Sequence, residues 1–137
     1  MAKVDMKTEI GISPDKAWEL IGGFNTLPDW HPAVEKSELE EEGTMRRLSL
    51  VGGGTIIEKL EKMDDNERVY SYSIVDSPLP VANYTASIRV IDDGSGKATV
   101  EWSGEFNADG AAEGDAINTI HGIYQAGLDN LKKMFDG

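Results

Sequence analysis

Gly114-Asp115-Ala116-Ile117-Asn118-Thr119-Ile120-His121-Gly122-Ile123-Tyr124-Gln125-Ala126-Gly127-Leu128-Asp129-Asn130-Leu131-Lys132-Lys133-Met134 carries one apolar stripe. Ile117, Ile120, Tyr124, Leu128 and Leu131, continued by Phe135, recur three and four residues apart, which predicts a helix over about residues 114–134. Such a helix is about 30 Å long and must bury its stripe against something else.

The partner is written upstream, where the hydrophobic period changes to two. Residues 34–40, 44–51, 55–63, 68–75, 83–91 and 98–106 all read as strands. Turn sequences separate them: Glu42-Gly43, Gly52-Gly53-Gly54, Asp64-Asp65-Asn66, Ser77-Pro78-Leu79-Pro80 and Asp93-Gly94-Ser95-Gly96. Connections this short imply hairpins and an antiparallel meander. A further strand runs from Lys3 to Ile12, with Val4, Met6, Thr8, Ile10 and Ile12 on one face. Ser13-Pro14 then supplies an N-cap and a first-turn proline, and Gly22-Gly23 ends the short helix that follows. The two prolines between Phe24 and Pro32 fit a turn or a second short helix. The expected fold is α+β: about seven antiparallel strands, curved around the long C-terminal helix, with two short helices after strand 1. This arrangement is expected as one domain spanning 1–137.

The chain has a formal net charge of −12 and no cysteine. That charge repels phosphate backbones and anionic membranes, so nucleic-acid partners are disfavoured. The missing cysteines exclude disulfides and thiolate chemistry, and the two histidines show no metal-ligand spacing, so no metal or cofactor is expected. No stretch approaches membrane-spanning length and the N-terminal residues have no apolar run, so no membrane insertion and a cytoplasmic location are expected.

Alternation sorts each strand into two faces. Tyr70, Tyr72 and Ile74 share the inward face, as do Tyr84, Ala86, Ile88 and Val90, and Val100, Trp102, Gly104 and Phe106. Arg46 and Glu58 also take inward parity. With Gly52-Gly53-Gly54 as a three-residue loop, Leu48 faces Glu58 and Arg46 lies diagonal to it, roughly 7–8 Å away. Charges on an apolar face are costly unless paired or solvated. Two readings stay open: a structural ion pair, or a pair that orients a polar ligand group.

The run Ala17-Trp18-Glu19-Leu20-Ile21, then Phe24, then Trp30-His31-Pro32-Ala33-Val34 resembles the SRPBCC, or START-like, superfamily. Gly43-Thr44-Met45-Arg46, Ile57-Glu58-Lys59-Leu60, Tyr72-Ser73-Ile74 and Val100-Glu101-Trp102 strengthen the likeness, which is nearest to the polyketide cyclase/dehydrase and lipid-transport-like branch. The resemblance implies a helix-grip fold with a deep cavity for small, largely apolar molecules, walled on the helix side by Ile123 and Gly127. More distantly the chain resembles the plant abscisic-acid receptors. There His31 takes the place of a pocket lysine, Glu58 and Tyr84 fall on pocket-lining positions, and residues 51–55 fall on a mobile covering loop. With the lysine gone and the loop shortened, only the idea of a gated pocket is carried over.

The candidate ligand-binding residues are therefore His31, Arg46, Glu58, Tyr72, Tyr84, Trp102, Ile123 and Gly127. The expected entrance loops are Gly52, Gly53 and Gly54 on one side and Pro78, Leu79 and Pro80 on the other. His31 titrates near neutrality and could carry a proton, or it could be a hinge residue held by Pro32. His121 lies at the edge of the helix stripe and is expected to be partly exposed. Gly122 and Gly127 each weaken the helix by about 1 kcal/mol relative to alanine, which either ligand space or close packing could offset. No catalytic nucleophile stands out. The expected activity is binding of a small apolar molecule. The alternatives are an aromatase/cyclase using His31, Arg46 or Glu58, and an accessory protein presenting a surface patch at Pro78-Leu79-Pro80-Val81.

Overall fold

A computed structural model describes residues 2–135. Seven strands form one antiparallel sheet: β1 Ala2–Ile10, β2 Val34–Glu40, β3 Met45–Leu50, β4 Thr55–Asp64, β5 Val69–Asp76, β6 Val81–Asp92 and β7 Ala98–Ala108. Their spatial order is β1-β7-β6-β5-β4-β3-β2, a meander from β2 to β7 closed by the N-terminal strand. Helix α1 covers Pro14–Ile21, and Ser13 caps it by accepting the Lys16 N–H at 3.3 Å. One turn of 3-10 helix follows at Leu27–Asp29, so the segment with two prolines is helical where its backbone allows. Helix α2 runs Glu113–Phe135 and packs against β1 and β7. The seven-stranded sheet, the long C-terminal helix and the short helices after strand 1 are all as the periodicities predict.

The inward faces are buried as alternation requires. Ile120, Tyr124, Leu128 and Leu131 of α2 and Val100, Trp102 and Phe106 of β7 are each at most 4% exposed. His121 is exposed. β1 ends at Ile10, two residues before its predicted end, because Ser13 and Pro14 need the preceding residues to turn into α1.

The β3–β4 register departs from expectation. Arg46 stands directly opposite Glu58 and Leu48 opposite Ile56. The loop is Val51-Gly52-Gly53, one residue earlier than anticipated, because the Leu50 N–H bonds the Gly54 carbonyl at 3.1 Å. Gly52, Gly53 and Gly54 all have φ between 88° and 105°, a region costly for other residues. A slip of two positions across the pair preserves inward parity, so every side chain keeps its face.

Candidate functional site

A cavity of about 260 Å³ lies between the sheet and α2. The size approaches the ~300–1,000 Å³ usual for small-molecule sites. Its sheet wall includes Leu48, Ile56, Ile74, Tyr72, Tyr84 and Trp102, and its helix wall is Thr119, Ile120 and Ile123. Val51 and Gly53 come from the β3–β4 loop and Leu79 from the β5–β6 loop. Val51 is 62% exposed while lining the cavity, so the opening lies at these loops. A Cβ on Gly54 would sit 3.8 Å from Pro78, which shows how closely the loops approach.

Six of the eight candidate ligand-binding residues line this space: His31, Glu58, Tyr72, Tyr84, Trp102 and Ile123. Two do not. Arg46 is 1% exposed and lies behind Glu58, not on the cavity wall. Gly127 lies beneath the rings: a Cβ there would sit 2.7 Å from His31 Cδ2 and 3.0 Å from ring carbons of Trp30 and Trp102. Close packing, not ligand space, is the reason this helix position lacks a side chain. Of the expected entrance residues Gly53 and Leu79 line the cavity, whereas Gly52, Gly54, Pro78 and Pro80 flank it.

His31 is held at both nitrogens. Its Nδ1 accepts the Ala33 N–H at 3.1 Å, which leaves Nε2 carrying the hydrogen donated to the Ile123 carbonyl at 2.8 Å. Burial pushes its pKa below the ordinary histidine value, with the Ile123 carbonyl opposing the shift in part. The ring is a neutral strut from the segment before β2 to α2. It shows the cavity carbon edges and leaves neither nitrogen unbonded.

Each Arg46 nitrogen also has a partner. Nε and Nη2 both bond Glu58 Oε1, at 2.8 and 2.7 Å. Nη1 donates to the Phe24 carbonyl at 2.9 Å and to the Tyr70 hydroxyl at 3.3 Å. The Phe24 ring lies 4.4 Å from the guanidinium carbon. The two form a buried ion pair, and of the two only Glu58 faces the cavity. Burial pushes the Glu58 carboxyl up from its ordinary value, and Arg46 opposes that shift. Burial likewise lowers the guanidinium, but Tyr70 and Glu58 more than reverse it, so Arg46 stays charged.

The remaining polar groups form a chain. Trp102 Nε1 donates to the Tyr72 hydroxyl at 2.9 Å, Tyr72 and Tyr84 share a 3.2 Å bond, and Tyr84 bonds Tyr124. Burial raises the pKa of Tyr72, Tyr84 and Tyr124, so all three stay protonated at neutral pH. Gly104 makes the chain possible, since a Cβ there would collide with the Tyr124 hydroxyl. The sealed Trp30 Nε1 has no acceptor among the described residues.

The family described as polyketide cyclase/dehydrase and lipid transport matches residues 1–136. The chain belongs to that family. Among solved structures it is similar to the protein XoxI from Bacillus cereus, at 46% identity and TM-score 0.95, covering 98% of this chain and 96% of that one. A Bacillus thuringiensis protein is 44% identical with TM-score 0.95, over 99% and 100% of the two chains. An aromatase/cyclase from Streptomyces sp. R1128 shares the fold at 18% identity and TM-score 0.79, over 97% and 92%. No curated protein matches the chain. The resemblance to the SRPBCC superfamily is thereby shown as family and fold. No helix among the described residues is long and apolar enough to cross a membrane, and no group of three or more His, Asp or Glu residues there could hold a metal ion.

The candidate residues left out ten others that line the cavity, among them Leu48, Ile56, Leu27, Thr119 and Ile120. Ile120 was legible as part of the helix stripe, and Thr119 adjoins it. Leu27 sits in a single turn of 3-10 helix where no period operates.

Proposed function

We propose that this protein binds a small, largely apolar molecule in the cavity between sheet and α2. The observation that carries the reading is an apolar-walled cavity, of near-ligand size, opening beside two loops, with a few polar groups converging on it. An aromatase/cyclase would need a side chain that donates or withdraws a proton at the substrate. His31 has both nitrogens bonded and Arg46 has all three nitrogens engaged, which favours holding a molecule over transforming it. In the Pro78-Leu79-Pro80-Val81 segment Pro78 is exposed but the other three are half-buried, and Leu79 belongs to the cavity, which argues against a surface patch as the working part.

Titration with 2-naphthol and 2-methoxynaphthalene, followed by amide NMR shifts, tests this. At least one probe should bind saturably with shifts at Leu48, Ile56 and Ile123, and Ile123→Trp should abolish binding by filling the space. No binding of either probe, or undiminished binding to Ile123→Trp, would sink the proposal.

A further inference from the structure

Resting on that binding reading, we infer that the cavity selects neutral molecules bearing a hydroxyl group, which would donate to Glu58 Oε2. Both Arg46 contacts to the carboxylate fall on Oε1. No hydrogen bond among the described residues reaches Oε2. That oxygen is not sealed either, because the only walled-off side-chain polar atom without a partner there is Trp30 Nε1. Glu58 lines the cavity, so Oε2 presents an unfilled acceptor to whatever enters.

Trp102 Nε1 donates to the Tyr72 hydroxyl, and the hydroxyls of Tyr72, Tyr84 and Tyr124 bond one another, so their hydrogens are spent within the cluster. Tyr72 and Tyr84 line the same cavity as Glu58, and Tyr72 lies diagonal to it across the β4–β5 pair. The polar end of the cavity thus offers an acceptor that needs a hydrogen from the ligand. A hydroxyl supplies one; an ether oxygen does not.

Charge sets the second half of the selection. Arg46 already neutralises Glu58, so an ammonium would bring an unbalanced positive charge into a buried site. A carboxylate would face Glu58 Oε2 with no cation on the cavity wall, since Arg46 lies behind Glu58. The net charge of −12 adds to its exclusion.

The test compares one skeleton with four heads: 2-naphthol, 2-methoxynaphthalene, 2-naphthoate and 2-naphthylmethylammonium, by calorimetry at pH 7. 2-Naphthol should bind at least about tenfold more tightly than each of the others, as expected for a hydrogen bond to a charged acceptor. Glu58→Gln, which turns an amide N–H toward the cavity, should erase or reverse the preference for 2-naphthol over 2-methoxynaphthalene. Equal binding of those two by the wild-type protein would overturn the inference while leaving the binding reading intact. Tighter binding of the carboxylate or the ammonium would overturn it too. The wild-type ratios decide the matter even if Glu58→Gln fails to fold.

Discussion

Replacing Gly122 and Gly127 with alanine should move stability in opposite directions, although both lie inside α2. Alanine is favoured over glycine in a helix interior by about 1 kcal/mol. At Gly122 nothing lies within 4 Å of a Cβ, so Gly122→Ala should stabilise by about that amount. At Gly127 the same atom would press on His31 Cδ2 at 2.7 Å and on Trp30 and Trp102 at 3.0 Å. The imidazole cannot swing away without breaking its bonds to Ala33 and Ile123. Overpacking costs about 1–3 kcal/mol, and losing the Ile123 bond a further ~0.5–1.5 kcal/mol. After the gain in propensity, Gly127→Ala should lose roughly 0.5–3.5 kcal/mol. Urea unfolding followed by far-UV circular dichroism reads the difference directly, provided the m-value is unchanged. If Gly127→Ala stabilises the protein as Gly122→Ala does, the packing account of Gly127 and the strut role of His31 are both wrong.

Other perturbations test the remaining polar interior. Arg46→Met strands Glu58 and the Phe24 carbonyl and should cost about 3–5 kcal/mol. Adding Glu58→Leu should recover most of that, leaving roughly the ~1–3 kcal/mol of an orphaned Phe24 carbonyl; a double variant less stable than Arg46→Met would refute the pairing. Gly104→Ala should cost about 1–3 kcal/mol by displacing the Tyr124 hydroxyl, and Tyr124→Phe in the same chain should restore much of it; no rescue in urea midpoints would count against the collision. The folded state resists protonating His31 and the unfolded chain does not, so stability should fall as pH drops through about 6.5. His31→Gln should flatten that slope between pH 7.5 and 5.5, and an unaltered slope would show that His31 is not its source.

The sheet and helix were readable because each element announces itself through its own period. Strand limits for β2 to β7 fall within two residues of those expected, and Arg46 and Glu58 kept inward parity despite the misjudged hairpin. That error came from Gly52-Gly53-Gly54, where three adjacent residues all tolerate positive φ and so leave the turn free to slide. The candidate site was half legible. Parity places Glu58, Tyr72, Tyr84 and Trp102 on the right face, but whether a neighbour has already consumed a polar group depends on contacts distant in the chain. The carbonyl that occupies His31 Nε2 is 92 residues away, and the Phe24 oxygen that occupies Arg46 is 22 away. Nothing in the spacing of Gly127 distinguishes a gap kept for a ligand from one kept for three rings.

The pairing of β1 with β7 has a consequence in time. Every other strand pair is a hairpin between neighbours in the chain, whereas Ile10 pairs with Ala98 and Ala2 with Phe106. Closing so long a loop carries an entropic penalty that local hairpins avoid, and such contacts slow folding. As the chain emerges from the ribosome, β1 appears well before β7, its partner in the sheet. Its exposed backbone edge, and the matching edge of β7, are open to pairing with other chains until they meet. Because α2 packs on this same pair, the helix wall of the cavity depends on that long-range closure.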